Sequence, residues 1–268
     1  MNEKKLRLAL VGKDVSKSDS ERIHRFILGK MGYALEYEQV SVAAPNFDFA
    51  ARRLLGDFDG FNVTIPYKRD IMEYLEKIEG DARIFGAVNT VVCDGAVGYN
   101  TDGDGFLEML RVAGVEPCGR KCLIVGAGGA GRSVAVSLKK SGAKVSLYRR
   151  NQKELQETCL ELGVFPAKTL VGYDLVINAS GVGMHDTEGV SPVGAETFEG
   201  AQAAIDLIYV PRETEFLRLA KTKGIKAVGG AAMLFFQAYY SDCYFTQKSP
   251  SKREMDGLYE EYLKEQEV

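Results

Sequence analysis

Apolar residues along this chain gather alternately into short β-branched runs and into stripes at helical spacing. Leu6 to Val11 is such a run closed by Gly12, and Ile23, Phe26, Ile27 and Met31 then recur at helical intervals until Gly32. A strand followed by a helix is predicted. The alternation continues through Tyr33 to Val42, Phe47 to Leu55, an opening strand Phe58 to Ile65, and a predicted helix from Pro66 to about Ile78. Pro66 suits a first helical position because its missing N–H has no partner there, which puts Lys68 in the first turn. The positive end of the helix dipole disfavours an ammonium at that point, so Lys68 reads either as a functional lysine or as an incidental surface one.

Gly86 to Val92 and Gly98 to Leu110 come next, joined by a hairpin turn at Asp94-Gly95. Asn100 or Thr101 can cap the helix that follows, which places Asp102 in its first turn. Helix electrostatics alone explain an acid there; the other reading pairs Asp102 with Lys68 on the carboxyl edge of one parallel sheet, where α/β proteins build their sites. Between the first strand and helix, Ser20 can act as a cap, or Ser18 and Ser20 together can aim two hydroxyls at an anion such as a carboxylate. His24, beside the apolar face of that helix, reads as a packed or partly solvated residue rather than a catalyst.

In the second half, the strand Lys121 to Val125 runs straight into Gly126-Ala127-Gly128-Gly129-Ala130-Gly131, a helix extends through Leu138, and Lys144 to Tyr148 completes a βαβ unit. In that context GxGxxG is a dinucleotide fingerprint: glycines make the tight turn, admit a pyrophosphate to the backbone and let helix and strand pack closely. An NAD enzyme would place an acid at the end of the second strand; this chain has Arg149-Arg150-Asn151, whose guanidinium groups can fork onto a 2′-phosphate. NADP is therefore expected, the other reading being a solvated arginine pair at a strand end. Asp174 to Asn178 and Ala203 to Ile208 are further buried strands, the second leaving at Tyr209 toward a helix from about Glu213. Gly229-Gly230 opens an apolar helix through Phe245 in which Met233 and Gln237 share a face, and Lys252 to Glu267 is a charged amphipathic helix.

Composition narrows the function classes. The 268 residues carry a net charge of -3 with both signs dispersed, so no basic stripe points to nucleic acid and no polybasic segment to a membrane. The apolar run after the N-terminal charges is too brief for a signal or membrane segment, and a cytoplasmic protein is expected. Five cysteines without a CxxC pair suggest reduced thiols, and two histidines argue against a metal centre.

Together these motifs resemble the shikimate dehydrogenase family along nearly the whole chain. The paired serines are Ser18 and Ser20, NVTxPxK is Asn62 to Lys68, GAVNT is Gly86 to Thr90, and NTDxxG is Asn100 to Gly105. GAGGAG, the arginine-bearing loop, NA(S/T)xxGM at Asn178 to Met184, DxxYxPxxT at Asp206 to Thr214, and the Met233 to Ala238 run follow in family order.

The resemblance implies reversible reduction of 3-dehydroshikimate by NADPH. It implies an α/β fold of two domains, a mostly parallel substrate domain over 1–104 and a Rossmann NADP domain over 105–235, separated by a substrate cleft, with C-terminal helices 236–268 returning to the first. Lys68 and Asp102 would form the catalytic pair, and Ser18, Ser20, Thr64, Asn89, Tyr209 and Gln237 would hold the ring acid. Gly126, Ala127, Gly128, Gly129, Ala130, Arg149, Arg150, Ile208, Gly230 and Met233 would meet the cofactor. A monomer or homodimer acting on a small molecule is expected. The alternatives are a quinate/shikimate dehydrogenase with broader ring-acid or NAD use, and a non-catalytic NADP-binding regulator. The chain departs from the family pattern at Lys17, Asp19 and Glu21 around the serines, at Arg149, and at Ala232.

Overall fold

A computed structural model describes residues 4–266; Met1–Glu3, Glu267 and Val268 lie outside the described residues, and so does the expected end of the last helix at Glu267. The chain divides into two compact units, Met1–Thr101 with Phe235–Val268, and Asp102–Leu234.

The first unit runs β1 (Lys4–Gly12), α1 (Ser20–Lys30), β2 (Tyr33–Ser41), α2 (Phe47–Asp57), β3 (Gly60–Val63), β4 (Lys77–Ile78), α3 (Ala82–Phe85), β5 (Thr90–Val92) and β6 (Val97–Tyr99). Its sheet has the order β2-β1-β3-β5-β6-β4. All strands share one direction except β5, which is antiparallel to β3 and to β6. The predicted hairpin is therefore present, with its turn over Cys93–Ala96, where Gly95 has φ 76 and Ala96 has φ 45. The sheet is not uniformly parallel, because a connection this short can only join antiparallel neighbours. Phe61 and Val63 of β3 pack with Phe47 and Leu54 of α2 and with Val88 and Val91 in one buried cluster. Each such side chain contributes roughly 1.5–3 kcal/mol on burial.

The stretch after β3 differs from expectation. No α-helix begins at Pro66: the Ile65–Pro66 bond is cis, residues 65–69 form consecutive turns, and only a short 3₁₀ helix, Asp70–Tyr74, follows. Tyr67 explains the local path. Its ring is fully buried and stacks on Phe47 at 4.1 Å, and its hydroxyl donates to the Val42 carbonyl at 2.6 Å. These tertiary bonds outweigh the local helix preference. Lys68 thus lies in a turn, and the helix-dipole argument for it has no helix to act through.

The second unit runs α4 (Asp102–Val112), β7 (Lys121–Val125), α5 (Gly129–Lys140), β8 (Lys144–Tyr148), α6 (Gln152–Leu162), β9 (Phe165–Pro166), β10 (Leu175–Asn178), β11 (Ala203–Asp206), α7 (Glu215–Thr222) and β12 (Lys226–Val228). Its sheet, β12-β11-β10-β7-β8-β9, is parallel throughout. Strand order reverses between β7 and β10, the doubly wound arrangement whose crevice at that switch point takes dinucleotides. The core under one face joins Leu123, Val176 and Ala204 to Phe198, Phe216 and Leu217. Helix α8 (Ala231–Thr246) starts in the second unit and enters the first at Phe235; α9 (Lys252–Gln266) belongs to the first. No described helix is long and apolar enough to cross a membrane.

Candidate active site

At the carboxyl edge of the first sheet, the reversed β5 brings a strand start beside two strand ends. Asn62 of β3 and Tyr99 of β6 are both in register with Thr90, the first residue of β5. Backbone bonds knit this edge: Val63 N–H donates to the Asn89 carbonyl, Asn89 N–H to the Tyr99 carbonyl at 3.0 Å, and Val88 N–H to the Lys68 carbonyl at 2.7 Å. The turn bearing half-buried Lys68 is thus pinned one residue from Asn89. Thr64 N–H bonds the Val11 carbonyl, and the Thr64 methyl occupies the space that a Cβ on Gly12 would need, at 2.5 Å. After β6, Asn100 and Thr101 lead into Asp102, which is the first residue of α4 and 5% exposed.

Asn89, 2% exposed, anchors a polar network that sequence spacing only partly revealed. Its amide donates to Thr101 Oγ1 at 3.0 Å, and its carbonyl oxygen accepts from Thr101 N–H at 2.9 Å and from the Thr90 hydroxyl at 2.8 Å. Gln237 Oε1 lies 3.4 Å from the Asn89 amide. Ser241, one turn beyond Gln237 on α8, meets Thr90 at 2.7 Å and Thr101 at 3.1 Å. Thr101 and Ser241 were not expected site residues; the four-residue step from Gln237 was the signal that could have found Ser241.

The serine loop joins this edge through α1. Asp19, rather than Ser20, occupies the cap position, and no side chain caps α1. Ser18 Oγ accepts from Ser20 N–H at 3.2 Å, and buried Ser20 accepts from the Tyr37 hydroxyl at 2.9 Å. The acids around the serines are answered along the helix, Asp19 by Arg22 at 3.6 Å and Glu21 by Arg25 at 2.7 Å. One turn on, His24 and Asp242 of α8 are wholly buried and bonded, Nδ1 to Oδ1, at 2.7 Å. Burial pushes the Asp242 carboxyl up to about 6, against the opposing pull of His24.

The second unit fits a dinucleotide on its own geometry. Gly126 has φ 106, and a Cβ there would sit 2.6 Å from the Ala179 backbone; one on Gly131 would sit 2.4 Å from the Gly126 carbonyl. The tight turn therefore requires both glycines. Around Gly128, the residue just before α5, nothing lies within 4 Å of an added Cβ, so a phosphate can approach the backbone there, at the start of a helix that also includes Gly129 and Ala130. Arg149 and Arg150 follow β8, adjacent to the glycine turn: Val125 pairs with Tyr148, and Gly126 N–H donates to the Tyr148 carbonyl at 2.8 Å.

On the other side of the switch point, Ile208 and Gly230 are held together. Gly230 N–H bonds the Ile208 carbonyl at 3.0 Å, and a Cβ on Gly230 would strike the Leu207 carbonyl at 2.3 Å. Buried Asp206 fixes the segment that carries Ile208 and Tyr209. It accepts from Ile208 N–H at 3.0 Å, Asn178 Nδ2 at 3.0 Å and the Thr214 hydroxyl at 2.6 Å. Burial nonetheless holds its carboxyl above the usual range. Tyr209 is half-buried, and Met233 is buried in the first turns of α8.

The fold and this edge define a two-unit α/β protein with a dinucleotide-binding second half. Residues 10–91 match the family model described as the shikimate dehydrogenase substrate binding domain. The NADP(+) shikimate dehydrogenase of Shouchella clausii is 35% identical over 268 residues, covering 95% of this chain and 98% of that protein. A shikimate 5-dehydrogenase from Thermus thermophilus, solved with NADP(H) and shikimate, superposes with a TM-score of 0.86 at 33% identity, over 94% of this chain and 98% of that one. One from Listeria monocytogenes, solved with shikimate and NAD, gives a TM-score of 0.81 at 25% identity, over 97% and 96%. The chain belongs to the shikimate dehydrogenase family.

Proposed function

We propose that the chain reversibly reduces 3-dehydroshikimate to shikimate with NADPH, the first unit holding the ring acid and the second the cofactor. The observation that carries this reading is the carboxyl edge of the first sheet, where the Lys68 turn is bonded to the segment bearing Asn89, in a chain related to an NADP-dependent enzyme over 95% of its length. Bound NADPH supplies the hydride. As charge grows on the carbonyl oxygen, the Lys68 ammonium donates a hydrogen bond to it and gives up the proton that completes the alcohol; in the reverse direction the lysine takes that proton back. Asp102 orients Lys68 for that transfer.

Ser18 and Ser20 hold the substrate carboxylate, and Thr64, Asn89, Tyr209 and Gln237 hold the ring and its hydroxyls. On the cofactor side, Gly126, Ala127, Gly128, Gly129 and Ala130 cradle the pyrophosphate at the start of α5, and Arg149 and Arg150 face the 2′-phosphate. Ile208, Gly230 and Met233 lie at the nicotinamide end. The test follows nicotinamide absorbance with shikimate or quinate, each with NADP or NAD. Turnover fastest with shikimate and NADP is expected. A preference for quinate or NAD would shift the assignment within the family, and no turnover on either acid would overturn it.

A further inference from the structure

The start of α6 carries a carboxylate to which the proposed function gives no task. Asn151 caps this helix by accepting from Glu154 N–H at 3.3 Å, and its amide donates to Glu154 Oε1 at 2.6 Å. The other oxygen, Oε2, is paired with Arg149 Nη2. Both oxygens of Glu154 are thus held, one by the cap and one by the guanidinium expected to serve the cofactor. Arg150 is exposed and makes no ion pair among the described residues. The far end of this helix is tied to α5, where Arg132 bonds Glu161 at 2.7 Å.

We infer that Glu154 is a specificity-determining residue that withholds Arg149 from the 2′-phosphate of NADP and so weakens the chain's discrimination against NAD. The inference rests on the proposed placement of the 2′-phosphate at Arg149 and Arg150. A 2′-phosphate brings close to two negative charges and seeks planar guanidinium donors. To engage Arg149 it must displace Glu154, and the released carboxylate stays close by as a like charge, anchored through Asn151. A 2′-hydroxyl meets no such opposition. It can donate to the same carboxylate, the role an acid at this strand end has in NAD-binding Rossmann folds. One side chain therefore penalises one cofactor and accommodates the other, and preference for NADP is left to Arg150.

Calorimetry on the apo protein with NADPH, NADH and adenosine 2′-monophosphate tests this without turnover. Glu154→Gln keeps the length and the bond to Asn151 while removing the charge. It is expected to tighten NADPH and adenosine 2′-monophosphate about three- to tenfold and to leave NADH unchanged or weaker. Arg149→Ala should cost little in the wild-type background and about tenfold in the Glu154→Gln background, a coupling read by the double-mutant cycle. If Arg150→Ala weakens NADPH but Glu154→Gln leaves it unchanged or weaker, the inference is overturned while the assignment of the 2′-subsite stands. If neither arginine variant changes NADPH binding, the subsite assignment fails and the inference fails with it.

Discussion

Replacing Asp242 by Asn tests the buried pair that ties α1, with Ser20, to α8, with Gln237. Asp242 and His24 are both 0% exposed, and Tyr37 stacks on the His24 ring at 5.7 Å. Burial raises the Asp242 carboxyl from 3.8 to about 6, so between those values the folded chain retains a proton that the unfolded chain has released. Stability from this group is fully present below 3.8 and is lost as pH rises through about 6. A rise of about two pH units corresponds to a loss of about 3 kcal/mol.

Asn keeps the Oδ1 acceptor for His24 but never ionises. Its amide also lands where Oδ2 has no hydrogen-bond partner, at a constant cost of about 1–3 kcal/mol. The Asn variant should therefore be less stable than wild type at pH 4 and recover by about 3 kcal/mol at pH 7.5. The change with pH carries the test, and the constant offset does not. With no tryptophan in the chain, urea unfolding followed by far-ultraviolet circular dichroism from pH 4 to 8 is the assay. A stability difference that does not vary with pH, or that widens against the variant as pH rises, refutes the reasoning.

Lys68→Ala should lower kcat about 10²- to 10⁴-fold with little change in KM for the ring acid, as for a proton donor used mainly in the transition state; steady-state kinetics showing an intact kcat would reject that role. Gly131→Ala places a methyl 2.4 Å from the Gly126 carbonyl and should reduce NADPH affinity more than tenfold, which fluorescence titration reads. Thr214→Val removes both the cap on Leu217 N–H and the bond to Asp206. It should cost about 2–4 kcal/mol and lower Tm by about 5–10 °C in a thermal scan; a shift under one degree would mean that the cap and the aspartate bond are dispensable.

Local signals made most of the fold legible in the sequence. The glycine fingerprint, its flanking strands and the Arg149-Arg150 position lie within thirty residues, and β8 has the predicted limits. The stretch after Phe61 was harder because Pro66 signals a turn as readily as a helix start. The choice is made by Tyr67 on Phe47, partners that no local pattern connects. Distance in sequence likewise concealed His24 with Asp242, 218 residues apart. Glu154 was more accessible: Asn151 and Glu154 have the spacing of a capping box, although the arginine that completes the arrangement lies before the cap.

The reversed β5 makes part of this protein unusually sensitive to insertion. Loops ordinarily accept added residues, but the Cys93–Ala96 turn sets the alignment of β5 against β6. One extra residue there would slip β5 by a single position and turn its side chains to the opposite face. Thr90, about 10 Å away at the other end of the strand, would then present its hydroxyl away from Ser241 and Asn89. The turn acts as a spacer of fixed length, and a change of one residue in it would be felt across the strand at the candidate site.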